Sequence, residues 1–88
     1  GLSFAVLEAM AAERAIVATA VDGTVEVIED GRTGLLIAPG TPEALAAAIT
    51  QLLADPLLRI RMGQAARQTI LERFDERQML ARTFTLYN

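Results

Sequence analysis

Apolar positions recur at helical spacing at the start of the chain and form a continuous run soon after it. Phe4, Leu7 and Met10 follow one face of a helix, and Ser3 is its predicted N-cap. The next apolar run, residues 15–19, is rich in β-branched side chains and about as long as a buried parallel strand. The pattern therefore predicts a short helix followed by a strand in a covered sheet.

Turn residues separate the next two elements. Residues 21–24 read Val-Asp-Gly-Thr and predict a turn that ends in the N-cap of a short helix over residues 25–28. Two glycines within residues 30–34 allow a tight reversal before residues 35–37, a second short buried strand. The alternation of helices and strands indicates an α/β fold with a parallel sheet.

Two further helices have clear starting signals. A helix over residues 41–54 begins with Thr-Pro-Glu, which supplies a hydroxyl N-cap, a proline at the first helical position and a carboxylate in the first turn. Asp55-Pro56 repeats the signal, and the helix that follows is predicted to continue past an interior Gly63 to about Phe74. The second half of the chain is therefore predicted to be helical.

The predicted elements form one small domain. A last helix, capped by Asp75 and Glu76, is expected to end near Tyr87. The layout is an α/β region over about 1–40 and a helical tail over about 41–88. Two parallel strands leave two unpaired edges and little core, so the chain resembles half of a doubly wound domain, for which self-association is expected.

Composition excludes several kinds of function. The chain has 88 residues, 52% of them hydrophobic, with a mean hydropathy of +0.34, a net charge of −3 and no Cys or His. Disulfides, thiolate nucleophiles, a histidine base and the ordinary zinc ligand sets are therefore absent, and no metal site is expected. All eight basic residues are Arg and lack interleaved aromatics, so no nucleic acid partner is predicted. No apolar run approaches the roughly 20 residues of a transmembrane segment.

The first eleven residues, GLSFAVLEAMA, carry the resemblance to a known family. They are similar to a block of the retaining GT-B glycosyltransferases, called group 1 or family 4, whose motif has two glutamates separated by seven residues. Glu8 matches the second glutamate, and the first would precede Gly1. The chain has no initiator Met and is expected to begin partway through a longer protein. Four later blocks resemble the family in the same order: residues 16–28, 29–40, 42–46 and 62–74.

The sequence departs from the family pattern close to the predicted site. Glu13 and Ala15 stand where the family usually has Gly and Pro, and Asp22 and Val25 replace a common Gly and Pro of the next turn. Because glycine adopts a positive φ at little cost, Glu13 implies that a left-handed backbone there is either avoided or strained.

The resemblance implies the C-terminal portion of a Rossmann-like GT-B donor domain that binds a nucleotide-diphosphate sugar. A helix N-terminus offers free N–H groups and a partial positive charge, so the main chain of Ser3, Phe4 and Ala5 is the candidate diphosphate site. A carboxylate can accept two hydroxyl hydrogen bonds, and the resemblance assigns the ribose diol to Glu8. The missing upstream glutamate would hold the donor sugar, and no residue of this chain is assigned a catalytic role.

The activity implied is sugar transfer to an acceptor hydroxyl with retention, by a hexosyltransferase-type enzyme of carbohydrate biosynthesis. The partner of this chain would be the missing N-terminal GT-B domain, and the chain alone is expected to be inactive. The nucleotide sugar is a substrate, and no cofactor is expected. A cytoplasmic location is expected, with any membrane association supplied by the missing domain.

Three alternatives remain open at this point. Glu8 alone could be an ordinary helix-surface charge, since glutamates are mostly exposed. The chain could also be a small helical protein-interaction module that binds a partner through residues 41–88. The same fold also occurs in GT-B sugar-nucleotide epimerases and glycogen-synthase-like enzymes. The glycines form no phosphate-binding motif and are predicted to be turns.

Overall fold

The computed structural model describes residues 4–73, within which the predicted order of elements is confirmed. The predicted N-cap Ser3 and the predicted last helix, from Asp75 to Tyr87, lie outside the described residues. The described elements are four helices and two strands: α1 (Phe4–Ala11), β1 (Val17–Thr19), α2 (Thr24–Val27), β2 (Leu35–Ile37), α3 (Pro42–Ala54) and α4 (Pro56–Arg73).

The two strands pair in parallel, as the alternation of helices and strands predicts. Val17 lies opposite Leu35, and the register continues to the ends of both strands. Two further hydrogen bonds extend the pairing at its ends, since the Leu35 amide donates to the Ile16 carbonyl at 2.8 Å and the Ala20 amide to the Ile37 carbonyl at 2.7 Å. The predicted class, α/β with two short parallel strands and flanking helices, is confirmed.

The core lies where α1 packs against α4. Leu7 and Met10, three residues apart on α1, are 1% and 0% exposed, and Ala66 and Ile70 of α4 are 0% and 1% exposed. Each large apolar side chain buried in this way contributes about 1.5–3 kcal/mol to stability. The cluster is completed by three buried residues at the start of β1 and the end of α2: Ile16, which precedes β1, Val27, the last residue of α2, and Ile28, which follows it. Packing on α4 therefore fixes the buried face of α1.

The predicted reversal between α2 and β2 is built around Thr33. This residue is 0% exposed, and its hydroxyl accepts a hydrogen bond from the Glu29 amide at 2.8 Å. Its own amide donates to the Glu29 carbonyl at 3.0 Å, while Gly31 takes a φ of 86° in the tight part of the turn. The buried hydroxyl thus satisfies a main-chain donor that the turn would otherwise leave unpaired.

The two predicted helix caps differ in how they work. Thr41 is the N-cap residue of α3, as predicted, but its hydroxyl donates to the Ala38 carbonyl instead of accepting from the helix. Pro42 occupies the predicted first position. Asp55 caps α4 as predicted, because its Oδ1 accepts from the Leu58 amide at 3.0 Å. Only Asp55 therefore satisfies a free N–H group at its helix start.

Replacing Asp55 with alanine is expected to lower the free energy of unfolding by about 1 kcal/mol, because the Leu58 amide loses its acceptor. Urea denaturation followed by circular dichroism measures the change. Asp55→Asn keeps a side-chain oxygen and should lose less. Equal losses for the two variants would show that the cap does not act through this hydrogen bond.

An exposed apolar surface runs along α3 and the start of α4. Leu53 and Leu57 are 72% and 70% exposed, far more than large apolar side chains usually are. They continue an exposed row that includes Leu45, Ile49 and Ile60. A groove beside this row is also lined by Val17 of β1, so the surface reaches the strand edge that has no partner within residues 4–73.

The 88-residue chain on its own is expected to self-associate through this apolar surface. Sedimentation velocity should show dimers or larger species whose population grows with concentration. Leu53→Arg, which places a charge in the middle of the surface, should shift the population toward the monomer. A wild-type chain that sediments as a monomer at high concentration would contradict the expectation.

Candidate functional site

The start of α1 is expected at the carboxyl edge of the sheet. Only residues 12–16 separate α1 from β1, and a helix joined to a strand of an α/β sheet by so short a connection is expected to run antiparallel to that strand. The start of α1 and the end of β1 are then on the same side of the fold. In open α/β sheets, ligands bind outside the carboxyl ends of the strands. The described members of the predicted site, Phe4, Ala5 and Glu8, are thus expected on the side of the sheet where ligands bind.

The side chain of Glu8 is partly exposed and has no protein partner in the described part of the chain. It follows the buried Leu7 on α1 and lies beside the packed face of the helix. No hydrogen bond or ion pair joins its carboxylate to any residue within 4–73. A partly buried carboxylate without an internal partner has acceptor sites free for hydroxyl donors. Glu8 can therefore bind a diol without breaking an existing contact.

The first turn of α1 carries no acidic side chain. Phe4 and Ala5 begin the helix, and Ser3 lies outside the described residues. The first amides of a helix have no partner within the helix, and its dipole places a partial positive charge there. Without a carboxylate in this turn, nothing on α1 itself neutralises that charge. The described part of the predicted main-chain site is therefore suited to an anion.

The carboxyl end of α1 closes with the two hydrogen bonds of a Schellman motif. The Arg14 amide donates to the Ala9 carbonyl at 3.0 Å, and the Glu13 amide donates to the Met10 carbonyl at 3.1 Å. Glu13 sits at the left-handed position of this motif, with a φ of 59°. The sequence left open whether Glu13 avoids a left-handed backbone or adopts it with strain. Glu13 adopts it, because the two closing hydrogen bonds require a positive φ at this position.

Glu13→Gly is expected to stabilise the chain by about 0.5–1 kcal/mol, because glycine takes a positive φ without steric cost. The variant also loses the ion pair with Arg67, whose 3.8 Å separation and exposed side chains make it weak. Urea denaturation measures the gain, and Glu13→Ala is the matched control that loses the ion pair but keeps the Cβ. A glycine variant no more stable than the alanine variant would contradict the strain.

Thr24 shapes the loop after β1. The sequence predicted it as the N-cap of α2, but this was wrong, because Thr24 is the first residue of the helix and Gly23 is the N-cap. The Thr24 hydroxyl lies 2.5 Å from the Thr19 carbonyl oxygen and 2.9 Å from that of Val21, and it accepts from the Val21 amide at 3.1 Å. Gly23 precedes it with a φ of 95°, which glycine adopts without strain. These contacts fix the loop at the carboxyl edge. The Gly-Thr pair signals a turn in sequence, but not that the hydroxyl bonds back to the strand.

Two features are absent from residues 4–73: a cluster of metal ligands and a membrane-spanning helix. No group of three or more acidic side chains lies close enough together to hold a metal ion. Among the same residues, no helix combines the length and the apolar character needed to cross a bilayer.

Comparison with known proteins bears on what this edge binds. Residues 1–69 match the family described as glycosyl transferases group 1. The chain belongs to this family. EpsD of Bacillus subtilis strain 168 is 41% identical over 88 residues, and the alpha-maltose-1-phosphate synthase of Mycobacterium tuberculosis is 39% identical over 87 residues. The resemblance at residues 1–11 is thus confirmed at the level of the group 1 family.

The fold of this chain is also found in glycosyltransferases of known structure. The sucrose-phosphate synthase of Thermosynechococcus elongatus superimposes on 98% of the chain with a TM-score of 0.83 and 31% identity. The predicted GT-B fold class is therefore confirmed. The chain spans less than a quarter of its relatives, namely 23% of EpsD, 22% of the maltose-phosphate synthase and 22% of the sucrose-phosphate synthase.

Proposed function

We propose that this chain forms one wall of the donor pocket of a retaining, family 4 glycosyltransferase. The donor is a nucleotide-diphosphate sugar, and the acceptor is a hydroxyl group. The observation that carries the proposal is Glu8, a partly buried carboxylate without a partner among the described residues. It lies on a helix whose start is expected at the carboxyl edge of the sheet, where such folds bind ligands.

The start of α1 is proposed to hold the diphosphate. The main-chain amides of Ser3, Phe4 and Ala5 would donate to its oxygens, and the helix dipole would favour their negative charge. During transfer, the bond between the anomeric carbon and the diphosphate breaks, and charge accumulates on the departing nucleoside diphosphate. Amides fixed at a helix start stabilise that charge without reorganising. In this proposal the chain assists the departure of the nucleoside diphosphate.

Glu8 is proposed to bind the ribose. Its two carboxylate oxygens can accept from the 2′- and 3′-hydroxyls together, and a charged acceptor makes the stronger kind of hydrogen bond. Glu8 lies about one turn beyond the start of α1, so the two groups are separated along the helix as diphosphate and ribose are along the donor. The upstream glutamate that would hold the sugar precedes Gly1.

Full-length enzyme is needed to test the proposal, since the 88-residue chain alone is expected to be inactive. Calorimetric titration with UDP, GDP and ADP should show that one of them binds, with a dissociation constant in the micromolar to millimolar range typical of enzyme substrates. NMR of the product made from the matching nucleotide sugar should show a retained anomeric configuration. Absence of binding for all three nucleotides, or an inverted product, would refute the proposal.

The family match does not favour the alternative of a small helical interaction module. The relatives of this chain are named for the transfer or the synthesis of different sugars. One of them is an alpha-D-kanosaminyltransferase of Streptomyces kanamyceticus that is 42% identical over 65 residues. The titration identifies the nucleotide of the donor. The proposed enzyme acts in carbohydrate biosynthesis in the cytoplasm, with the N-terminal GT-B domain as the partner that binds the acceptor.

A further inference from the structure

Three arginines of α4 donate hydrogen bonds to the carboxyl ends of the three other described helices. In each case Nη1 bonds to a main-chain carbonyl of a last turn: Arg59 to Leu53 of α3 at 3.0 Å, Arg67 to Ala11 of α1 at 2.5 Å, and Arg73 to Glu26 of α2 at 2.7 Å. None of the three receiving helices has a basic residue in its own last turn. The last carbonyls of a helix have no partners within the helix and favour a nearby cation. The arginines of α4 therefore supply hydrogen-bond donors and positive charge to these three helix ends.

Arg67 is the member of this set that contacts the helix of the candidate site. The Schellman motif at the end of α1 occupies the carbonyls of Ala9 and Met10, and Arg67 takes the next one, that of Ala11. Its Nε also lies 3.8 Å from Oε1 of Glu13. The guanidinium therefore joins two points of the turn that ends α1.

Gly63 brings α4 against the same turn. A Cβ atom at this position would lie 2.1 Å from the main-chain oxygen of Glu13, far inside a normal contact distance. Gly63 and Arg67 are four residues apart and so lie on one face of α4. The end of α1 is therefore in steric contact with Gly63 and accepts a directional hydrogen bond from Arg67.

Apolar packing alone does not fix the position of α1 along its own axis. The hydrophobic contact of Leu7 and Met10 with Ala66 and Ile70 is non-directional and allows small slides. A hydrogen bond to a carbonyl has a narrow range of distance and angle. The bond from Arg67 to the Ala11 carbonyl therefore adds a directional restraint on α1 along its axis. Glu8 is three residues from Ala11, so a slide at that end moves the carboxylate by a similar amount.

We propose that Arg67 is a positioning residue for donor binding: it fixes the carboxyl end of α1 and, through this rigid helix, the place of Glu8 and of the helix start. The inference rests on the proposed function, because it assumes that α1 meets the donor. Arg67 itself does not touch the donor, since it binds the opposite end of the helix.

The test replaces Arg67 with methionine in the full-length enzyme and titrates it by calorimetry with whichever of UDP, GDP and ADP the wild type binds. The dissociation constant is expected to rise about tenfold, which corresponds to about 1.4 kcal/mol of binding free energy. The number of sites is expected to stay near that of the wild type. A purely structural role would instead reduce the number of sites, through unfolded protein, and leave the dissociation constant of the folded fraction unchanged.

Arg59→Met is the matched control. It removes the same kind of hydrogen bond from the carboxyl end of α3, which carries none of the proposed donor residues. Its dissociation constant should equal that of the wild type, even where its melting temperature falls. Arg67→Lys keeps the charge and a donor for the Ala11 carbonyl, so it should restore most of the affinity lost in Arg67→Met.

Two results would overturn the inference while leaving the proposed function intact. One is a wild-type dissociation constant in a folded Arg67→Met enzyme, and the other is an equal rise in Arg59→Met. If Arg67→Met does not fold, Arg67→Lys is compared with Arg59→Lys: a small rise confined to Arg67→Lys supports the inference, and no difference between them overturns it. A wild-type enzyme that binds no nucleoside diphosphate would refute the proposed function instead.

Discussion

Replacing Gly63 with alanine is expected to lower the free energy of unfolding by about 2–4 kcal/mol, because the new methyl group would overlap the main chain of Glu13. The nearest Glu13 atom would lie 2.1 Å away and belongs to the backbone, so no side-chain rotation relieves the clash. The two helices must separate, which weakens the packing of Leu7 and Met10. Urea denaturation measures the loss, and hydrogen exchange of the α1 amides should accelerate.

Whether Gly63→Ala lowers or raises the free energy of unfolding distinguishes the effect of the contact with Glu13 from the effect of helix propensity. In a helix interior without neighbours, glycine to alanine stabilises by about 1 kcal/mol. Gln64→Ala, at the exposed next position of α4, is the control and should be close to neutral. A Gly63→Ala variant that is as stable as the wild type, or more stable, would show that the close approach of α4 to Glu13 does not occur.

The local signals in the sequence predicted the elements well because caps and turns are encoded by adjacent residues. Thr-Pro-Glu set the start of α3, and Asp55 set the start of α4 with a side-chain bond to its third residue. Residues 35–37 were predicted as a strand and form β2. The first strand was predicted over 15–19 but pairs regularly over 17–19. Strand limits depend on the partner strand, which no local pattern specifies.

Contacts between distant residues could not be predicted in this way. Gly63 was recognised as a glycine inside a helix. The reason why a larger residue does not fit there lies 50 positions earlier, at the main chain of Glu13. Arg67 bonds to Ala11 across 56 positions, and in sequence it is one of several arginines on a helix. Glu13 itself gave a clue, because a non-glycine residue stood where a left-handed backbone was expected. Only the closing hydrogen bonds show which outcome the chain adopts.

The candidate site was predicted through family resemblance rather than through spacing. Glu8 on α1 looks like any helix-surface glutamate until the block around it is compared with the group 1 glycosyl transferases. The structure adds that its carboxylate has no partner within residues 4–73 and that only residues 12–16 separate α1 from the first strand. Its contact with the ribose stays a prediction.

Replacing Glu8 with alanine in the full-length enzyme is expected to weaken donor binding by about 1.5–3 kcal/mol, the loss of hydrogen bonds to a charged group. This corresponds to a roughly 10- to 150-fold rise in the dissociation constant. Folding should be retained, because alanine is the best helix former and Glu8 has no partner to lose among the described residues. Calorimetric titration with the nucleoside diphosphate measures the change.

Two further variants refine this prediction. Glu8→Gln keeps one acceptor oxygen without the charge and should show a smaller loss. Glu43→Ala removes the same charge from the exposed first turn of α3 and should leave the dissociation constant unchanged. An equal loss in Glu43→Ala would mean that the effect comes from overall charge rather than from contact with the donor.

The most direct measurement compares a nucleoside diphosphate with its 2′,3′-dideoxy analogue in the wild-type enzyme and in Glu8→Ala. If Glu8 binds the ribose diol, the wild type should bind the ribonucleotide at least about tenfold more tightly than the analogue, and Glu8→Ala should bind both with similar affinity. The same preference for the ribonucleotide in Glu8→Ala as in the wild type would contradict the assignment of Glu8 to the ribose, and with it the account of α1 as a wall of the donor pocket.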